Sequence, residues 1–544
     1  MKNRPPYDVD YFDTFYDLLK RIETRGPQPA VTWFDRKQNR HDRNCAQLYN
    51  DAEALRRYLM DSGYAGKHIS IVSENCYDWI VVLLGIVSAG AVAVCVDVEQ
   101  SDDVIREYIE ISDSAAVFAS PSYRDICAPA VCGDMALWEM NGAADSGEAP
   151  SLKELIEAGD KLPDPGKNCS ADDTAVIVFT SGTTSRAKPV MLTHKNILHN
   201  SAAGLSLVDL HKDIFSALPF YHSYGLNCFV VACMIWGARC ILNGDMRTML
   251  RDIGLSSPYS MIAVPLMAEA IYKYLWVILE KGGKADEVRR KIKIGRRLAK
   301  LGIKSWNKAL VEFKKKYLGD LSLMIAGGAH LDKEVAEGLL DFGILVLPGY
   351  GITECSPLIS VNQVESRNFE SVGHVLPGVD VRIKDGEILV RGSNVMKGYY
   401  NSPEQTAECM EGEWFHTGDL GSIDRNGFLY ITGRIKNLIV LKNGKKISPE
   451  KLEELIQKIP LVKEVIAYGA NSGSSADDVR PAASIYPDPE LTKGMSSYEI
   501  LEALQKEIDR INASLPLYQQ IQIINIREKE FARTPSKKII RSQV

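Results

Sequence analysis

The chain has 544 residues, 25% of them charged and 45% hydrophobic, with a formal net charge of −6. That length exceeds what one hydrophobic core supports, so several structural units are expected, and the charge gives no general attraction to nucleic acid. The 11 cysteines include no CxxC pair, and Cys127/Cys132 and Cys228/Cys233 are spaced wrongly for the common zinc knuckles, which points to buried thiols in a reducing cytosol.

The N-terminal stretch "MKNRPPYDVDYFDTFYDLLKRIE" is acidic and aromatic and lacks the apolar core of a signal peptide. The run "WIVVLLGIVSAGAVAVCV" (79–96) carries no charge and is barely long enough to span a bilayer. Gly85, Ser88 and Gly90 interrupt it, and its second half is rich in valine. It reads as a buried helix, a turn at "SAG" and a buried parallel strand. Further short apolar runs, at 68–73, 115–120, 175–179, 322–328 and 344–351, read as buried strands with helical stretches between most of them. That is the pattern of an α/β protein with parallel sheets.

Between 281 and 316 stand 14 lysines and arginines against Asp286, Glu287 and Glu312, a local excess of 11 positive charges. Two readings are open: a solvated helical hairpin, or a docking face for an anionic membrane or an acidic partner. After about residue 370, "VRIKDGEILVRG" and "GFLYITGR" read as antiparallel strands joined by glycine turns. From Ile435 onward, "SPEKLEELIQKI" and "SYEILEALQKEIDRINASL" read as helices, and "VKEVIAYGA" and "IQIINI" as strands, of a separate small α+β domain.

The stretch "TAVIVFTSGTTSRAKPVML" (174–192) carries chemistry. Gly182 and Lys188 have the separation of a P-loop, but Ala187 replaces the second glycine and Pro189 replaces the Ser/Thr that holds magnesium. Pro189 also disfavours helix at Lys188. The residues after it are strand-like, and Thr193 is a good N-cap for "HKNILHN". The loop therefore joins two strands. Hydroxyls of Thr180, Ser181, Thr183 and Thr184, backbone N–H groups around Gly182 and the Lys188 ammonium make a sensible wrap for polyphosphate oxygens.

Four further motifs follow in order: "GYGITE" (349–354), "WFHTGDLG" (414–421), "GRIKNLIVLKNGKKISPEKLE" (433–453) and "RTPSKKIIR" (533–541). With the loop they resemble the acyl-adenylate-forming (AMP-binding) superfamily over nearly the whole chain. The basic helical insertion (about 268–316) and the "GRIKNLIVLKNGKKISPE" wording most resemble bacterial long-chain fatty acyl-CoA synthetases. The resemblance implies a large N-terminal domain (1–434) of two α/β sheet subdomains plus a small β-barrel-like subdomain, then a small mobile α+β lid domain (435–544). It implies an acyl-CoA ligase that uses ATP, Mg2+ and CoA to join a fatty acid to a thiol through acyl-AMP.

The same resemblance assigns roles. Lys538 bridges the carboxylate and the α-phosphate, where attack by an anion needs positive charge. Position 537 is usually glycine in the family and is lysine here, so Lys537 shares the candidacy. Glu354, with help from Thr184, is the metal ligand. Tyr350 stacks on adenine, with Gly328, Ala329, Gly351 and Thr353 around the base. Asp419 accepts from both ribose hydroxyls, and Arg434 is a second polar contact. Lys436 is the hinge, and Gly444 borders the thiol tunnel, where a side chain would obstruct. His222 in "PFYHSYGL" matches a residue at the mouth of the acyl pocket, with packing at a helix start as the equal alternative.

The family loop T-S-G-T-T-G-x-P-K-G-V differs here at Ser185, Ala187 and Pro189, and Asn437 follows the hinge where an acidic residue is frequent. The expected setting is the cytoplasm, with at most peripheral membrane contact through 281–316. The rivals are loading of an acyl carrier protein, activation of an aryl or amino acid carboxylate, a nucleotide-binding regulator and, weakest, a P-loop kinase.

Overall fold

Valine- and isoleucine-rich runs without polar alternation are suited to strands buried on both faces, and that is where this chain places them. The computed structural model describes residues 6–140, 150–180, 187–300, 307–442, 444–471, 479–533 and 539–541. The chain divides into two units, one of residues 1–180, 187–380 and 390–415, the other of 181–186, 381–389 and 416–544.

The first unit contains two large sheets. One has nine strands, with six parallel strands in its middle: Leu345–Gly351, Leu323–Ala326, Ser260–Ala263, Asp213–Ser216, Arg239–Leu242 and Pro29–Phe34, in that spatial order. The other has seven. Its parallel strands are Thr174–Thr180, Val92–Cys95, His68–Val72, Ser114–Ala119 and Ala136–Glu139, and Lys188–Thr193 and Gly398–Tyr399 add antiparallel on one side. The run 79–96 folds as the helix Tyr77–Ser88, a turn at Gly90 with φ +74°, and the strand Val92–Cys95. Among the described residues no helix is long and apolar enough to cross a membrane.

The strands on either side of the hydroxyl-rich loop form one antiparallel pair, with Thr180 opposite Lys188 and Phe179 opposite Pro189. A P-loop would instead run from strand into helix. The helix begins later, at His194–Leu205, where the Thr193 hydroxyl accepts from the Asn196 N–H at 3.0 Å and the Asn196 side chain accepts from the Thr193 N–H at 2.9 Å. The Asn196 amide also donates to the carbonyls of Ser393 and Val395, at 2.7 and 3.0 Å. One capping residue thus ties the loop's far end to the segment leading into Gly398–Tyr399.

The basic insertion forms the helices Pro265–Lys281, Ala285–Lys300 and Lys308–Leu318. Part of its charge is paired. Arg296 pairs with Glu337 and Asp341, Arg289 with Glu280 and Asp286, Lys291 with Glu287, and Lys315 with Asp320. Lys314 is buried and donates to the carbonyls of Gly319 and Leu321.

Between 379 and 434 the expected barrel-like subdomain is a five-stranded sheet whose longest strand is Trp414–Ile423. The C-terminal region packs Pro449–Gln457 and Ser497–Ser514 on a three-stranded sheet, burying Leu452, Ile456, Val465, Ile485, Leu504 and Ile508 together. Its central strand, Val479–Pro487, is the element sequence reading misses. Pro481, Ala482, Ala483 and Ser484 dilute the apolar signal, yet the strand pairs on both sides.

Asn196→Ala removes a capping bond and two partly buried bonds to the 393–395 backbone. It is expected to destabilise the first unit by about 2 kcal/mol, measured as a lowered urea midpoint followed by tryptophan fluorescence.

Candidate active site

Open α/β sheets bind ligands beyond the carboxyl ends of their parallel strands. In the nine-stranded sheet, Asp213–Ser216 runs into "ALPFYHSYG", Leu323–Ala326 into "GGAHL", and Leu345–Gly351 into "ITE". Side chains of the first segment tie these ends together. The Tyr224 hydroxyl reaches the carbonyls of Ala263 and Ile325, at 3.1 and 3.0 Å. The Ser223 and Thr353 hydroxyls lie 3.2 Å apart. Gly328, with φ +88°, and Ala329 are exposed at this edge. Tyr350 is 9% exposed and sits opposite Ser360. At Gly351 a Cβ would fall 2.1 Å from the Pro357 carbonyl oxygen, so only glycine fits. His222 precedes the short helix Ser223–Gly225, its carbonyl accepting from the Leu226 N–H at 2.9 Å and its ring 4.9 Å from that of Tyr221.

Glu354 follows on the same turn and is partly buried. Its Oε1 accepts a 2.9 Å hydrogen bond from the Tyr399 hydroxyl, and its backbone carbonyl accepts from the Met396 N–H at 2.8 Å. The Lys188 ammonium lies over the Tyr399 ring, 4.6 Å from its centroid. Burial, and then the Glu354 carboxylate, push the Tyr399 phenol well above its ordinary range, so it stays protonated as a donor. Lys188 comes from the seven-stranded sheet and Glu354 from the end of a strand in the nine-stranded one; Tyr399 touches both. Sequence reading named Lys188 and Glu354 and missed Tyr399, whose signal is the "GYY" (398–400) after "VRGSNVMK".

Among the described residues no three His, Cys, Asp or Glu side chains cluster to hold a metal ion. A lone carboxylate suits magnesium, which keeps waters and takes substrate phosphate oxygens as its remaining ligands. The donor set at Glu354 is therefore compatible with Mg2+ and unlike a zinc or calcium cage.

In the second unit, Asp419 is 3% exposed and lies opposite Arg434 in an antiparallel pair. Its Oδ1 accepts from Arg434 Nε at 2.6 Å, and its backbone N–H donates to the Thr417 hydroxyl at 3.0 Å. Lys436 is exposed in the turn Ile435–Asn437, where the Asn437 amide donates to Glu450 at 2.7 Å. The backbone there is closely packed: a Cβ at Gly433 would lie 2.4 Å from the Ser448 hydroxyl. Gly444, with φ +75°, turns between Ile439–Val440 and Lys446–Ile447, and a Cβ there would meet nothing within 4 Å.

Ser181, Gly182, Thr183 and Thr184 of the loop, and Lys537 and Lys538, lie outside the described residues; Thr180 is the last one described before the loop. The ends of the C-terminal motif are anchored. Arg533 pairs with Glu464 and Arg541 with Glu453, and the Ile540 N–H donates to the Ala532 carbonyl at 2.8 Å.

Comparison with known proteins agrees with this architecture. The profile of the AMP-binding enzyme family matches residues 19–400, and that of the AMP-binding enzyme C-terminal domain matches 436–544. The chain belongs to the AMP-binding enzyme family. Among curated relatives, the long-chain-fatty-acid–CoA ligase FadD15 of Mycobacterium bovis is 28% identical, over 83% of this chain and 78% of that protein. The long-chain-fatty-acid–CoA ligase of Salmonella typhimurium is 26% identical over 90% of each. Among solved structures, the anthranilate CoA ligase AuaEII with anthranoyl-AMP superposes with a TM-score of 0.78 at 18% identity, covering 98% of this chain and 96% of that one. A Mycobacterium tuberculosis fatty acyl CoA synthetase superposes with a TM-score of 0.66 at 21% identity, covering 98% and 97%. At these identities the structural matches speak for the fold.

Gly351→Ala forces the turn away from Pro357. The expected cost is about 2 kcal/mol of stability, with AMP binding at least tenfold weaker by isothermal titration calorimetry.

Proposed function

We propose that this protein is an ATP-dependent fatty acid–CoA ligase of the AMP-forming type. The observation that carries the reading is the match, across most of both chains, to curated relatives named long-chain-fatty-acid–CoA ligase. The convergence of Lys188, Tyr399 and Glu354 supports a polyphosphate substrate beside them.

In the first half-reaction a carboxylate oxygen attacks the α-phosphorus of ATP. The bond to the bridging oxygen breaks, and pyrophosphate leaves with the electron pair. Lys538 supplies positive charge at the reacting oxygens, a role for which Lys537 is the second candidate. Thr180, Ser181, Gly182, Thr183, Thr184 and Lys188 hold the leaving phosphates by hydroxyl, backbone and ammonium contacts. Magnesium, when bound, neutralises charge on the phosphates, and Glu354 with Thr184 would hold it. Tyr350, Gly328, Ala329, Gly351 and Thr353 receive the adenine, and Asp419, oriented by Arg434, receives the ribose hydroxyls.

In the second half-reaction the thiol sulfur of CoA attacks the acyl carbonyl and AMP departs. We assign this step to the segment around Gly444, with a large domain of residues 1–434 and a small one of 435–544 hinged at Lys436. His222 is assigned to the mouth of the acyl site.

A panel of carboxylates tested for pyrophosphate release, with and without CoA, tests the reading. Fatty acids are expected to give pyrophosphate, and acyl-CoA once CoA is added. Release only with aryl or amino acids, or transfer only to an acyl carrier protein, overturns it. Lys538→Ala is expected to lower acyl-AMP formation at least 100-fold while thioester formation from supplied acyl-AMP persists. Gly444→Trp is expected to do the reverse. Separate assays of the two half-reactions check both.

A further inference from the structure

Tyr399 lies on the short strand Gly398–Tyr399, opposite Val190 and next to the strand that carries Lys188. Its backbone N–H donates to the Thr406 hydroxyl at 2.9 Å, and the Tyr400 N–H donates to the Pro189 carbonyl at 2.8 Å. The residue is 5% exposed, so its ring has one place to be. Around it are the Lys188 ammonium at 4.6 Å from the ring centroid, Glu354 Oε1 at 2.9 Å from the hydroxyl, and the Cys409 thiol bordering that hydroxyl. The thiol itself donates to the Thr406 carbonyl at 3.2 Å.

The two charged contacts reinforce each other. A cation over the ring face draws electron density from the phenol and makes its O–H a stronger donor. The carboxylate accepting that bond returns density to the ring and strengthens its hold on the ammonium. Lysine and glutamate brought into a polar cleft would otherwise be free to collapse into a direct ion pair. An aromatic ring bonded to both separates them while satisfying each.

We propose that Tyr399 is a positioning residue that holds Glu354 and Lys188 at a set spacing, so that Glu354 would hold a metal ion, and the ammonium the phosphates, of a bound metal–nucleoside triphosphate. The proposal rests on the ligase reading for the identity of that nucleotide. It goes beyond that reading in giving one side chain control of the metal-dependent part of nucleotide binding.

Isothermal titration calorimetry on the full chain separates the contributions. Tyr399→Phe keeps the ring under Lys188 and removes the hydroxyl with its bond to Glu354 and its contact with the Cys409 thiol. Its affinity for ATP with magnesium is expected to fall five- to tenfold, while its affinities for ATP in EDTA and for AMP stay within twofold of wild type. Tyr399→Leu removes both contacts and is expected to weaken ATP in EDTA as well, with AMP binding retained as evidence of an intact fold. In steady-state pyrophosphate release, Tyr399→Phe is expected to raise the KM for magnesium–ATP more than it lowers kcat. The proposal is overturned if Tyr399→Phe binds magnesium–ATP like wild type, or if it weakens AMP binding equally. It is also overturned if wild type binds ATP equally with magnesium and with EDTA. A wild type that releases no pyrophosphate with any carboxylate overturns the ligase reading instead, and the calorimetry still judges Tyr399.

Discussion

Parallel strands buried on both faces leave little room along their length for polar side chains, and none for unpaired charge. In both large sheets most interior positions are apolar, among them valine, isoleucine, alanine, leucine, methionine, phenylalanine and cysteine, with a few buried serines. Polar chemistry is therefore displaced to the strand ends, where the backbone leaves the sheet and its N–H and C=O groups need new partners. Tyr224, Ser223, Thr353 and Glu354 stand at such ends, and Lys188 stands where the hydroxyl-rich loop rejoins its sheet. Their convergence follows from where the sheets stop.

The same constraint explains why glycine recurs at the site. Strand ends that lie close together leave backbone against backbone, as at Gly351 beside Pro357, and an added methyl group has nowhere to go. Gly444 is a different case: its surroundings are open, and what calls for glycine is the positive φ. A glycine-rich motif in the sequence thus covers two separate physical demands.

The basic insertion shows how a strong sequence signal is reduced by folding. Read as a string, 281–316 has 11 excess positive charges. Folded, Arg296 finds acids on the helix Lys333–Asp341, and Lys314 turns inward onto two backbone carbonyls. Those partners are distant in sequence or carry no charge at all, so a local tally overstates the field that reaches solvent.

What the sequence by itself determined were the features with local causes. Apolar runs became strands, the 79–96 run became helix, turn and strand, and Pro189 and Thr193 marked where the hydroxyl-rich loop ends and the next helix begins. The ordered motifs pointed to adenylate chemistry because each carries its residues within a few positions. What only the tertiary structure decided were the pairings between distant segments: Tyr399 with Glu354 and Lys188, Asn196 with residues 393–395, Arg541 with Glu453. A tyrosine in a strand has the same local signature whether its hydroxyl meets a carboxylate or a carbonyl. Glu354 lies 45 positions away, beyond the end of a strand of the other large sheet, and Lys188 comes from a distant part of the chain on the neighbouring strand, so only packing could supply them. The central strand Val479–Pro487 was hidden for the matching reason, since its stability comes from neighbours on both sides and not from its own composition.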